Sequence, residues 1–436
     1  VTTSATSQTS VTCLGCGCAC DDIEITTHDN RIVEARNACE LGISWFGDGD
    51  VPARIRIGGR DVSDREAINA AATLLATAAR PLIYLAPDLS CEAQRELVGI
   101  ADALGGILDS ITSSTAGGSV LAAQERGRAS ATLGELRHRA DVVVFWGVDP
   151  AVHYPRYGTR YAPDVPGLHV PDGRRSRAVV AVDVVATDGD VDRRGPADAN
   201  TRVVVPPEEE TATITALAGL VSGRDTGASS VVWVRARELA VHLINARYVG
   251  IVADAEGATD AGRAAALITL AQSLNGPTRC ALSLLRAGGN RSGADAVATW
   301  QTGFPMAVDF ARGHPRYLPH EGTAHARLAR GEVDAVLLAG SAALVPPDLL
   351  ALTGRVPRAL IGPRVSAAAA DDSTRDIVID TGVAGIHEAG TAMRMDDVPL
   401  PLRAPVTGPK RAADIARAVA RRVRQLRGPS RQAAAR

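Results

Sequence analysis

From Ser63 onward the chain alternates two patterns of apolar and polar positions. The stretch "DREAINAAATLLATAAR" places apolar residues at helical spacing among strong helix formers, and "PLIYLA" follows as a short run that is apolar throughout, as expected of a strand buried on both faces. The rhythm returns in "CEAQRELVGIADALGG", "LGELRHRADVVVFWGVDP", "SRAVVAVDVV", "AHARLARGEVDAVLLAGSAALVP" and "RALIGP". Apolar strands set between helices predict parallel sheets covered on both sides, an α/β fold with more than one sheet. Ligands in such sheets sit beyond the carboxyl ends of the strands. That address belongs here to "FWGVDPAVHYPR" and "LLAGSAALVPP".

The chain before Ser63 reads differently. "DDIEITTHDNRIVEARNAC" alternates apolar and polar residues around "HDN", which predicts a hairpin with His28 at its turn. The hairpin folds Cys39 back toward "CLGCGCAC". The expected organisation is therefore a cysteine module with hairpin over 1–62, an α/β lobe over 63–200, a central α/β lobe over 201–330, and an α/β segment over 331–385. The remainder, 386–436, is a glycine-rich loop covering a cleft, then a C-terminal helix and a tail that frays after Gly428. The arginine-rich face of that helix reads as a solvated surface.

Composition narrows the function classes. Of 436 residues, 46% are hydrophobic and 22% charged, with a formal charge of -2, so no general field attracts nucleic acid or an acidic membrane. Lys410 is the only lysine among 47 basic residues. A coding bias explains that more simply than a binding demand does. No run reaches the ~18 apolar residues of a membrane span, and the opening "VTTSATSQTSVT" has neither the basic nor the apolar region of a secretion signal. A cytoplasmic location is expected, where clustered thiols point to metal before disulfide.

Cys13, Cys16 and Cys20 stand as C-x2-C-x3-C, and Cys39 follows past the hairpin. Three thiolates in a tight loop and a fourth from a distance suit a 4Fe–4S cluster, and the same four could hold structural zinc. Cys18 has no evident role in that set, while Cys91 and Cys280 read as core residues. No Ser-His-Asp order, HExxH or GxxxxGK[ST] loop is present. The acidic residues of "GVDP" and "RMDDV" read as caps and turns.

The module "CLGCGCACDDIEITTHDNRIVEARNACELG" resembles the N-terminal cluster-binding module of the B subunit of formylmethanofuran dehydrogenase, in the molybdopterin oxidoreductase superfamily. "TLGELRHRADVVVFWGVDPAVHYPR", "ATWQTGFPMAVDFARGHPRY", "ARGEVDAVLLAGS" and "VAGIHEAGTAMRMDDVPLPL" resemble further family signatures, in the family's order. The resemblance implies a multi-lobed, formate dehydrogenase-like architecture. It also implies a tungsten or molybdenum pterin held by a Cys or selenocysteine in a "VCHGPS"-like loop before the "TLGE" helix. Here that loop reads "SSTAGGS", with Thr115 at the cysteine position and Ala116 at the histidine position. A neutral hydroxyl is a poor ligand for such a metal, and a methyl group offers no proton. His153 and His387 lie in loops that line the family's cofactor cleft, yet as single histidines they read as structural.

Loss of both groups resembles the B subunit of the formyltransferase/hydrolase complex of methylotrophic bacteria. That resemblance implies a non-catalytic structural subunit, without a tungsten or molybdenum pterin, in an assembly that moves formyl groups from tetrahydromethanopterin to methanofuran or methylofuran and releases formate. The implied partners are an amidohydrolase-like A subunit, a C subunit, a formyltransferase D subunit and the furan carrier. The opposed reading is a working formylmethanofuran dehydrogenase subunit with an unusual metal ligand. A third reading is a free-standing binding protein with an emptied pterin cleft.

Overall fold

The computed structural model describes residues 5–186, 188–256, 261–369 and 375–428. The chain forms two compact units. One combines residues 1–114 with 288–436, and the other is the continuous stretch 115–287. The lobes expected in chain order divide otherwise: residues 63–200 give strands to both units, and the first unit draws its largest sheet from both ends of the sequence. The reason is strand pairing. Pro81–Leu85 takes as one neighbour the distant Ala335–Ala339, a match that hydropathy patterns do not announce.

In the first unit a nine-stranded sheet has five parallel strands at its centre: Ile107–Ser110, Pro81–Leu85, Ala335–Ala339, Arg358–Gly362 and Ile377–Asp380. Every residue of Pro81–Leu85 is buried, and alternate residues enter different cores. Ile83 and Leu85 pack beneath helices Asp64–Thr77, Cys91–Leu104, Arg291–Thr302 and Ala412–Arg427. Leu82 and Tyr84 pack under Ala324–Ala329 and Pro347–Thr353 on the opposite face. The strand is apolar throughout because neither face meets water.

The helices begin where short polar side chains can hold free amides. Ser63 accepts the Glu66 N–H and Ser90 that of Ala93, while Gly105 ends the second helix with a left-handed φ of 63°, a conformation glycine adopts without strain. The predicted hairpin is present as Ile23–His28 and Arg31–Arg36, with Asp29 and Asn30 at positive φ in the turn. The polar opening adds a third strand, Thr6–Val11, which the sequence did not announce. Near the C-terminus Gly390–Met393 pairs with Pro399–Leu402 around the "RMDDV" turn, where Arg394 binds Asp396 at 2.6 and 2.7 Å. Helix Ala412–Arg427 is as expected, and the fraying expected beyond it lies outside the described residues.

The second unit holds a six-stranded sheet whose path runs Asp192–Arg193, Ala178–Val185, Val142–Trp146, Val249–Asp254, Cys280–Leu285, with Thr201–Val205 also paired to Ala178–Val185. All its pairings are parallel except that of Asp192–Arg193. Thr132 accepts the Glu135 N–H to start the "LGEL" helix. At the end of Val142–Trp146 a buried carboxylate gathers three donors. Glu210 accepts the Trp146 indole N–H at 2.9 Å, Arg263 at 2.7 Å and Arg193 at 2.6 Å. Burial acts to raise the Glu210 pKa, but the charges of Arg263 and Arg193 outweigh it and hold the carboxyl below its ordinary value.

Truncation of Glu210 would leave two guanidinium groups and an indole N–H without their acceptor. Glu210→Ala is expected to cost about 3–5 kcal/mol in urea unfolding, and Glu210→Gln less because an acceptor remains. The wild-type contribution should be complete above the ordinary value of 4.5 and fall away as the pH drops through the lower folded value. An acid limb of the stability profile that is identical in wild type and Glu210→Gln would contradict this.

Candidate functional site

The cysteine loop closes on itself through Cys13 N–H to Cys20 C=O at 2.9 Å and Ala19 N–H to Cys16 C=O at 3.2 Å. Cys13, Cys18 and Cys20 are buried, and Cys16 and Cys39 half-buried. The unannounced helix Glu40–Phe46 starts at Cys39 and brings Gly42 against the loop. A Cβ placed on Gly42 would lie 3.3 Å from the Cys13 sulfur and 3.9 Å from that of Cys39. The absence of a side chain there lets the near and far cysteines approach.

Cys13 lies deep in the loop. Burial pushes its thiol well up, the Gly15 N–H at 3.3 Å pulls it down, and the nearby Cys16, Cys20 and Cys39 push it up again. Of the four cysteines singled out by spacing, Cys16, Cys20 and Cys39 thus lie within electrostatic reach of Cys13. Among the described residues, however, no three His, Cys, Asp or Glu side chains form a group able to hold a metal ion. All seven cysteines are free of disulfides. The donor set has the chemistry for a thiolate-bound cation, whose charge would favour the ionised form that burial opposes.

The loop is anchored by "GGN" at 288–290. Gly289 donates to the Leu14 carbonyl at 2.8 Å, and Met395 to that of Gly17 at 3.2 Å. The fully buried Asn290 amide donates to the Leu89 carbonyl at 2.9 Å and accepts from Met393 N–H at 2.8 Å. Leu14 and Ala19 complete an apolar cluster with Ala384, Ala392, Leu400 and Leu402. Sequence reading missed this role of Asn290. Its signal is a pair of glycines ahead of a helix, which permits close backbone approach.

Thr115 is half-buried at the end of the one-turn helix Thr112–Thr115 and is the first residue of the second unit. Ala116 is 1% exposed and belongs to that unit's apolar core with Ala122, Val142 and Trp146. Its methyl group serves packing. The preceding residues hold one another: Ser113 donates to Asp109 at 2.8 Å and Thr112 to Asp295 at 2.6 Å. Asp109 also accepts the Ala307 and Ala324 N–H groups, yet burial raises its pKa to about 6.

Both sheets reverse strand order at the expected addresses. In the second unit Asp149 follows Val142–Trp146 and caps Pro150–His153, accepting Ala151 N–H at 2.9 Å. "GVDP" is therefore a cap, as read. His153 lies close enough to Asp254 to act on it electrostatically, but burial dominates and raises that carboxyl. In the first unit Asp88 follows Pro81–Leu85 and accepts Ser341 N–H at 2.8 Å. Burial lifts its pKa to about 6. Sequence reading passed over Asp88, although its place just past a strand end was a usable signal.

His387 is fully engaged. Its Nδ1 accepts Val383 N–H at 3.1 Å and its Nε2 donates to the Gly49 carbonyl at 2.7 Å, a tautomer assigned from these partners. Burial, the largest cause, depresses its pKa. Cys91 and Cys280 are buried in the cores of their respective units, as expected.

Two tests follow from this geometry. A Cβ at Gly288 would meet the Gly15 carbonyl oxygen at 2.5 Å, so Gly288→Ala should loosen the loop and raise thiol reactivity toward a disulfide reagent severalfold. Unchanged thiol kinetics in a folded variant would contradict the anchor. Because folding lowers the His387 pKa, its contribution is complete above the ordinary 6.5 and declines as the pH falls below that value. His387→Gln should flatten that limb of the thermal unfolding profile.

No protein-family profile matches the chain. Over 417 residues it is 33% identical to the B subunit of tungsten-containing formylmethanofuran dehydrogenase 2 of Methanocaldococcus jannaschii, covering 92% of this chain and 94% of that one. The B subunit of the same name from Methanococcus maripaludis is 31% identical with equal coverage. The crystal structure of the formyltransferase/hydrolase complex FhcABCD from Methylorubrum extorquens with methylofuran contains a chain of the same fold. It matches with a TM-score of 0.69 at 23% identity over 85% of this chain and 98% of that chain. With one third of its residues shared along nearly its whole length, the chain belongs to the family of formylmethanofuran dehydrogenase B subunits.

Proposed function

We propose that the chain is the structural B subunit of a formyltransferase/hydrolase assembly, which passes formyl groups from tetrahydromethanopterin to a methanofuran-type carrier and releases formate. The observation that carries this reading is the pair Thr115 and Ala116. Where the family's resemblance places a metal-binding thiolate or selenolate and an imidazole, this chain has a half-buried hydroxyl and a methyl group committed to an apolar core. Hydrolysis and transfer need no electrons, so such an assembly tolerates the loss. The fold shared with a chain of a formyltransferase/hydrolase complex supports the reading.

Catalysis is then the work of the A and D subunits, with the C subunit as a further neighbour and the cytoplasm as the setting. Cys13, Cys16, Cys20 and Cys39 would hold a 4Fe–4S cluster or zinc as structure, because a small module gains most of its stability from such a centre. The second reading, a tungsten-dependent formylmethanofuran dehydrogenase subunit, is favoured by the names of the two relatives at 33% and 31% identity.

Elemental analysis of the native complex separates the two. The proposal expects no tungsten or molybdenum, with about four irons or about one zinc per chain, and no viologen-linked formate oxidation. Tungsten or molybdenum near one per chain, together with that activity, would overturn it.

A further inference from the structure

Helices Asp64–Thr77 and Ala412–Arg427 border an open groove of about 820 Å³. Its lining carries four cationic side chains, Arg65, Lys410, Arg421 and Arg422, against a single carboxylate, Asp64, which Lys410 already engages. Arg422 donates to Gln425 at 3.2 Å, but its buried Nε has no hydrogen-bond partner. Arg65, Arg421 and Arg422 have no carboxylate partner among the described residues. This is a local departure from a chain whose formal charge is -2.

Three unneutralised guanidinium groups in one groove repel one another, and planar forks of this kind suit carboxylates. The groove is long as well as basic. Ala418 to Gln425 spans about 10 Å of helix at 1.5 Å per residue, and Ile68 and Ala418 give the lining apolar patches. A small inorganic anion would fill little of that space and would not use the apolar part. We propose that the groove is a docking site for an acidic, partly apolar segment of a partner polypeptide. The segment's carboxylates meet Arg65, Arg421 and Arg422, and its apolar side chains rest on Ile68 and Ala418. The proposal goes beyond the reading of position 115 and does not depend on it, because a dehydrogenase subunit would present the same groove.

The probe is a fluorescein-labelled peptide of repeated Glu-Glu-Ala-Leu, titrated with the full chain at low salt and followed by anisotropy. Binding is expected, with affinity that falls as salt rises. The variant Arg65→Glu/Arg421→Glu/Arg422→Glu should bind about tenfold more weakly or worse. Arg424→Glu, a charge reversal on the same helix but outside the groove, should change affinity by less than about twofold. Helical content by circular dichroism verifies that both variants fold. Absence of binding at low salt would overturn the proposal in favour of a solvated face. Comparable loss per reversed charge in Arg424→Glu would overturn it in favour of a diffuse field, and displacement by inorganic pyrophosphate at equal concentration in favour of a small-anion site.

Discussion

A parallel sheet has no face that it can leave to water, because its crossover connections pass over both sides. Much of this chain follows from that constraint. Pro81–Leu85 divides its residues between two cores, so helices must lie above and below it. Glycines at 288 and 289 are needed where the cysteine loop then comes down onto this covered layer, since any side chain there would strike backbone. The crevices at the strand ends owe the state of their carboxylates to the same cover: the buried Asp88 and Asp109 and the half-buried Asp254 are raised chiefly because water has been removed around them.

The parts of the fold legible in the sequence are those fixed by neighbours in the chain. Helix starts at Ser63, Ser90 and Thr132, the Asp29–Asn30 turn and the wholly apolar strands each carry their reason within a few residues. What was not legible depends on distant partners. Thr6–Val11 is polar and gains its strand from pairing with Ile23–His28, and the division into units rests on Pro81–Leu85 meeting Ala335–Ala339. The approach of Cys39 to the Cys13 loop was readable from the hairpin between them. The role of Asn290 was not, because its partners Leu89 and Met393 lie far from it in sequence.

The turn that leads into the second unit is held by its own polar side chains. Ahead of Thr115, the side chains of Thr112, Ser113 and Asp109 are engaged in hydrogen bonds, while Ala116 lies in the apolar core. In the N-terminal module Cys13, Cys18 and Cys20 are buried and Cys16 and Cys39 half-buried, so these side chains contribute to its packing.

The second unit is one uninterrupted stretch, 115–287, inserted in sequence between the two parts of the first. During synthesis Pro81–Leu85 and Ile107–Ser110 therefore emerge long before Ala335–Ala339, which pairs with the free edge of Pro81–Leu85. The inserted unit has its whole sequence in hand earlier and can fold while the ribosome is still working. The enclosing sheet must wait with apolar strand edges open, which makes its nascent N-terminal part a natural client for chaperones and the region most exposed to aggregation when translation stalls.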